Sequence, residues 1–141
     1  MRILAIDHGD VRAGTAVCDP SETIVRPLGV VSPPEAQELA AVAREQEAEL
    51  IVIGVPVSLD GAERRQAAAA RVFAAELSKV AMAPVETYDE RLTTRMATES
   101  ARGGASAPAD ALAAAHLLES YLRARAARPA TTGPGAEETP G

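Results

Sequence analysis

The chain has 141 residues, enough for one domain with a buried core, and its 14 basic against 20 acidic residues leave a formal net charge of −6. That balance argues against a surface coated throughout for phosphate, and an aromatic share of 2% argues against a single-strand binder that stacks bases on aromatic platforms. A single cysteine and two separated histidines exclude a disulfide framework and a Zn-type ligand cluster. With no charged-then-apolar leader and no apolar run of spanning length, a soluble cytoplasmic protein is expected.

The segment from Arg2 to Val17 has the pattern of a strand, a tight turn and a returning strand. Alternation puts Ile3, Ala5 and Asp7 on one face and Leu4 and Ile6 on the other, so a carboxylate ends an apolar strand at the rim of its sheet. Taken alone, Asp7 is better explained as a turn former. Gly9 permits a tight turn or a close approach to a ligand. Gly14 to Cys18 forms the second strand, with Cys18 as a small core residue, and Asp19-Pro20-Ser21 turns the chain. Thr23 to Val31 follows as a third strand, and Pro27, which lacks a ladder donor, confines it to an edge.

Ser32-Pro33-Pro34-Glu35 has the spacing of a capping box, with Ser32 as cap and Pro33 at the first helical position. Ala36, Leu39, Ala40 and Ala43 continue as the apolar stripe of that helix. Leu50 to Pro56 is almost wholly apolar, as expected of a central strand covered on both faces and parallel to its neighbour. Asp60-Gly61-Ala62-Glu63 opens a second helix whose buried stripe is Ala69, Ala70, Phe73 and Leu77. After Ala83-Pro84, Val85 to Tyr88 forms a fifth strand running into Asp89-Glu90-Arg91, and Thr93 or Thr94 caps a short helix near Met96. Residues 102–106 form a loop, and Pro108 opens a last helix through Leu112, Leu118 and Leu122. From Arg128 the composition turns to Pro, Thr, Gly and Glu, which predicts a domain over residues 1–127 and a disordered tail over 128–141. The order β-β-β-α-β-α-β-α-α predicts an α/β fold of ribonuclease H-like type. Its five-stranded mixed sheet would combine an antiparallel meander with parallel strands and carry helices on its faces.

Three groups of acids then fall at matching positions. Asp7 ends the first strand, and Asp89-Glu90 ends the fifth. Neighbouring strand residues face opposite ways, so only one of that pair aims with Asp7. Asp110 lies in the first turn of the last helix, where the helix dipole favours an ionised carboxylate. It shares a face with Ala113, Ala114, Leu117 and Tyr121, which suits packing on the sheet and aims Asp110 at the rim. Three such acids make an oxygen-only site for Mg²⁺ or Mn²⁺ that can activate water for phosphodiester cleavage.

Four motifs together resemble the YqgF (RuvX-type) family, bacterial proteins described as pre-16S rRNA nucleases or Holliday-junction resolvases. They are Ile6-Asp7-His8-Gly9 with Arg12-Ala13-Gly14; Gly54-Val55-Pro56 with Asp60-Gly61; Asp89-Glu90-Arg91-Leu92-Thr93-Thr94; and Asp110 with Leu118-Glu119-Ser120-Tyr121-Leu122. The resemblance implies a metal-dependent nuclease in ribosome maturation, with Asp7, Asp89 or Glu90, and Asp110 as catalytic acids and Asp7, Glu90 and Asp110 as metal ligands. Gly9, Arg12, Asp60, Gly61, Arg91, Thr93 and Thr94 would form the substrate-binding set. The implied partners are structured RNA, such as precursor rRNA, or branched DNA, together with ribosomal particles; a membrane is not among them, and the protein would be a monomer or homodimer. The chain departs from the family in its short, uncharged stretch from Gly103 to Ala109, which lacks phosphate-binding side chains. Two other readings compete: a non-catalytic ribosome-maturation factor, and a nucleotide-binding protein of the actin and sugar-kinase kind.

Overall fold

A computed structural model describes residues 1–56, 61–89 and 107–127. Within them lie β1 (Ile3–His8), β2 (Ala13–Cys18), β3 (Val25–Val31), α1 (Ala36–Glu45), β4 (Leu50–Val55), α2 (Gly61–Val80), β5 (Val85–Asp89) and α3 (Ala107–Ala127). The short helix expected near Met96, the loop at 102–106 and the tail from Arg128 lie outside the described residues. The strands form one sheet in the order β3-β2-β1-β4-β5. β1, β2 and β3 pair antiparallel, whereas β4 adds parallel to β1 and β5 parallel to β4. This is the ribonuclease H-like arrangement that the element order predicts, with β3 on an edge where the missing N–H of Pro27 is tolerated.

Two-residue alternation gives the sheet two apolar faces. Leu4, Ile6, Ile51, Ile53 and Val55 pack with Leu39, Phe73 and Leu77 of α1 and α2. Ile3, Ala5, Leu50 and Val52 pack with Leu117, Leu118 and Tyr121 of α3, and Cys18 is buried there as expected. A large aliphatic side chain buried this fully contributes about 1.5–3 kcal/mol. Both layers are therefore substantial, and the parallel strands β1 and β4 are covered on both sides, as such strands usually are. No helix of the described residues is long and apolar enough to cross a membrane.

Several local expectations change. The capping box at Ser32 does not form: α1 starts at Ala36, with Glu35 in extended conformation at the cap and no side-chain cap hydrogen bond. The Ser32–Pro33 peptide is cis, and the Ser32 hydroxyl donates instead to the carbonyl of Val11 at 3.1 Å. β3 starts two residues later than Thr23, because Asp19 draws the backbone N–H groups of Thr23 and Ile24 into its own turn, both at 2.7 Å. In α2, Ala67 and Ala74 are buried beside Ala70, Phe73 and Leu77, while Ala69 is only half-buried. Leu112 of α3 is 37% exposed and contributes little to the core.

β1, β4 and β5 end at one rim of the sheet, where β2 begins and from which α2 and α3 run back. At that rim α3 lies against β2 at Gly14. A Cβ added to Gly14 would fall 2.1 Å from the carbonyl oxygen of Asp110 and 3.0 Å from the backbone nitrogen of Ala111. These neighbours are backbone atoms, so they cannot yield by a rotamer change. Gly14→Ala should therefore displace the first turn of α3 and destabilise the fold by about 1–3 kcal/mol, the usual cost of overpacking. Urea unfolding followed by circular dichroism checks this, and an unchanged midpoint would refute the close approach.

Candidate active site

Asp7 pairs directly with Gly14 across the β1–β2 ladder. Residues opposite one another in an antiparallel pair point to the same face. Gly14 alternates with Ala16, which packs against Ala114 and Ala115 of α3, so Asp7 and Gly14 face α3. The backbone of Asp110 rests on that same Gly14. Asp7 and Asp110 are thus gathered at one rim by a glycine that sequence reasoning had not placed in the site. Its signal was available: a hairpin that pairs His8 with Ala13 must set Gly14 opposite Asp7. Both carboxylates are partly exposed, as groups that exchange solvent for a ligand must be.

The turn between the two strands is closed by the Gly9 N–H donating to the Arg12 carbonyl at 3.0 Å. A Cβ on Gly9 would stand 2.9 Å from that same oxygen, so the tight turn itself accounts for the glycine. The closure directs Arg12 toward α3, where its Nε donates to Oδ2 of Asp110. This is an ion pair between side chains 40% and 34% exposed, and solvent screens it accordingly. Arg12, expected as a phosphate contact, here neutralises one of the expected metal ligands.

His8 points the other way. Its ring stacks on Phe73 of α2 with centroids 4.5 Å apart. Burial lowers its pKa, outweighing the opposing pull of Asp10 and Glu76. The imidazole therefore serves as a neutral packing group that ties α2 to the end of β1.

β5 is held to α3 by two tyrosines. The Tyr121 hydroxyl donates to Oε1 of Glu86 at 2.8 Å, and Tyr88 Oη lies 3.0 Å from Oγ of Ser120. The two rings meet edge to face at 5.3 Å. Burial, reinforced by the Glu86 acceptor, raises the Tyr121 pKa. Glu86 and Tyr88 accordingly face α3. Asp89 pairs with Val55, a member of the α1–α2 core, so alternation puts Asp89 on the face opposite Asp7. Gly61 begins α2. Glu90, Asp60, Arg91, Thr93 and Thr94 lie outside the described residues. Among the described residues, no three His, Cys, Asp or Glu side chains gather closely enough to hold a metal ion by themselves.

Comparison with known proteins gives this geometry a family. The family model for RuvX, described as Holliday junction resolvase, matches residues 1–124. A Rhodopirellula baltica protein named "Putative pre-16S rRNA nuclease" is 38% identical over 133 residues, 87% of this chain and 77% of the relative. A protein of the same name from Anaeromyxobacter sp. (strain Fw109-5) is 39% identical over 135 residues, 89% of this chain and 98% of its own. In fold, the chain is similar to Thermus thermophilus RuvC solved in complex with a Holliday junction substrate. The TM-score is 0.61 at 22% identity, covering 92% of this chain and 99% of that one. With the strand order and a match along nearly all of the described residues, the chain belongs to the RuvX family of nucleases.

Proposed function

We propose that this chain is a divalent-metal-dependent, cytoplasmic nuclease that hydrolyses phosphodiester bonds at the 5′ end of precursor 16S rRNA during ribosome biogenesis. The observation that carries this reading is the gathering of Asp7 and Asp110 on either side of Gly14, in a chain whose relatives bear that nuclease name. The catalytic unit in this reading is residues 1–127. Branched DNA is the second substrate to weigh, because the family model is described as a Holliday junction resolvase.

The donor set suits a hard cation. Mg²⁺ and Mn²⁺ are held by one or two carboxylates, with water and substrate phosphate completing the shell, and Asp7 and Asp110 supply two carboxylates at one rim. The third ligand is assigned to Glu90 rather than Asp89, on the ground that Asp89 lies on the face opposite Asp7. When bound, the metal supplies an activated water and stabilises the leaving oxygen. Arg12 occupies the Asp110 carboxylate through its Nε, and when a metal takes that carboxylate its guanidinium would turn to a substrate phosphate. The tight turn at Gly9 keeps the backbone low beside Asp7. Arg91, Thr93, Thr94, Asp60 and Gly61 remain the proposed substrate contacts on the motifs that carry them.

Asp7→Asn keeps the size and removes the charge, so cleavage of precursor rRNA should fall by more than the roughly 10–100-fold typical of losing an outer-shell partner, with the melting temperature unchanged. The assay offers precursor 16S rRNA and a four-way DNA junction side by side with Mg²⁺ or Mn²⁺. Undiminished activity in the variant would sink the reading, and cleavage of the junction alone would move the substrate to branched DNA. Arg12→Ala removes a cation from beside Asp110. At an effective dielectric of about 20, a unit charge 4 Å away is worth about 4 kcal/mol, more after discounting for partial exposure than the fivefold effect required here. Mn²⁺ titration by electron paramagnetic resonance should therefore show at least about fivefold tighter binding in the variant, a change near 1 kcal/mol. Equal or weaker binding would remove Asp110 from the metal site.

A further inference from the structure

We infer that the solvent face of α2 carrying Arg64, Arg65 and Arg71 is a second contact surface for nucleic acid, gripping the phosphodiester backbone of a duplex at the level of the rim but across the sheet from Asp7 and Asp110. This rests on the nuclease reading for its substrate class, but its observations are separate. α2 follows the end of β4 and runs back along the sheet, and Phe73 lies over His8 at the end of β1. The turns that precede Phe73 therefore stand level with the rim that holds Asp7 and Asp110, or extend past it. All three arginines lie in those turns, and all are exposed.

Burial of Ala67, Ala70, Phe73, Ala74 and Leu77 fixes which side of α2 faces the core. Arg64 and Arg71, seven residues apart, then stand one above the other on the outer side, about 10 Å apart at 1.5 Å per residue. Exposed Ala68 and Ala75 occupy the same line. Side chains this small leave room for a phosphate backbone to approach the helix between the two guanidinium groups. A 10 Å interval corresponds to about three steps of a duplex at 3.4 Å per step.

Nor does any described residue engage these arginines. Arg12 pairs with Asp110 and Arg125 with Glu22, but no described residue forms an ion pair with Arg64, Arg65 or Arg71. The positions three and four after each arginine are all alanine, and of the three only Arg64 has an acid, Asp60, three or four positions before it. Glu76 comes one turn past Phe73 and is close enough to His8 to act on it. Self-association through this face is disfavoured, since a two-fold contact would set arginine against arginine.

The test uses the full chain with Arg64→Gln, Arg65→Gln and Arg71→Gln together, glutamine being a comparable helix former. A control removes the same charge from the opposite end of the fold through Arg26→Gln, Arg44→Gln and Lys79→Gln. Fluorescence anisotropy follows binding to a labelled RNA duplex of about 20 base pairs and to a four-way DNA junction, without divalent metal, from about 50 to 200 mM salt. The α2 variant should lose about tenfold or more in affinity at low salt, and its salt slope should flatten by about two to three units, near one per lost phosphate contact. The control should bind as the wild type does, and the probe that shows the flattening identifies RNA or DNA as the source of the phosphates.

An unchanged slope, an equal loss in both variants, or no duplex binding by the wild type would overturn the inference. So would a wild-type dimer in sedimentation that the α2 variant dissolves without change in duplex binding. The two readings fail separately. Metal-dependent cleavage lost in Asp7→Asn beside normal duplex binding in the α2 variant would remove only the surface. A wild type that binds through α2 but cleaves nothing would remove only the nuclease.

Discussion

With an ideal Cβ at position 14 falling 2.1 Å from the carbonyl oxygen of Asp110, only glycine lets the first turn of α3 lie directly on β2. That contact does more than pack a helix. Gly14 is the ladder partner of Asp7, so whatever sets the height of α3 over β2 also sets the position of Asp110 relative to Asp7. Farther along α3, Ala114 and Ala115 lie on Ala16, continuing the same close approach with small side chains. The tyrosine contacts to Glu86 and Ser120 then fix the helix against β5. One element is thereby registered against both sides of the central strand, and the rim between them receives its acids from separate parts of the chain.

The parts of this arrangement that were legible in the sequence are those written in local periodicity. Alternation along Ile3 to Asp7 assigns the faces of β1, and the unbroken apolar run at Leu50 to Val55 marks a strand covered twice. The helical spacing of Asp110, Ala114, Leu117 and Tyr121 identifies the face of α3 that meets the sheet, and the last three of these are buried there. Local pattern fails where a residue finds its partner far away. Ser32 has the spacing of a cap, but its hydroxyl bonds the Val11 carbonyl, 21 positions distant. Arg12 invites a phosphate, but its partner is Asp110, 98 positions on. In α2 the miss has another cause. Four consecutive alanines at 67–70 offer no contrast in hydropathy, so the exact line of burial is set by what Phe73 and Leu77 reach, not by the alanines themselves.

The same alternation separates two neighbouring acids that composition treats alike. Asp89 is joined through Val55 to the α1–α2 face, whereas Tyr88 and Glu86 are bound to α3. His8, next to Asp7 in sequence, goes with Asp89's face and is stacked under α2. A rim that carries Asp7, His8, Asp89 and Asp110 is therefore not one polar cluster but two sides of a sheet edge. Among the described residues, Asp7 and Asp110 belong to the α3 side, on either side of Gly14, and the α2 side uses its imidazole for packing.

This division also bears on how an acidic nuclease meets a polyanion. A net charge of −6 repels nucleic acid at long range, and the uncharged run from Gly103 to Ala109 removes one familiar means of compensation. At an ionic strength near 0.15 M, however, screening confines each exposed charge to about 8 Å, so local placement outweighs the sum. Glu45, Glu47 and Glu49 fall at the end of α1 and the start of β4, on the side of the sheet away from the rim. The arginines of α2 stand at the rim, more than a screening length along the β4 axis from those acids, since six strand residues span about 20 Å. On the inferred α2 surface, a phosphate backbone that reaches the rim would therefore be governed by the local balance between those guanidinium groups and the rim acids Asp7, Asp10, Asp89 and Asp110, and not by the average charge of the chain.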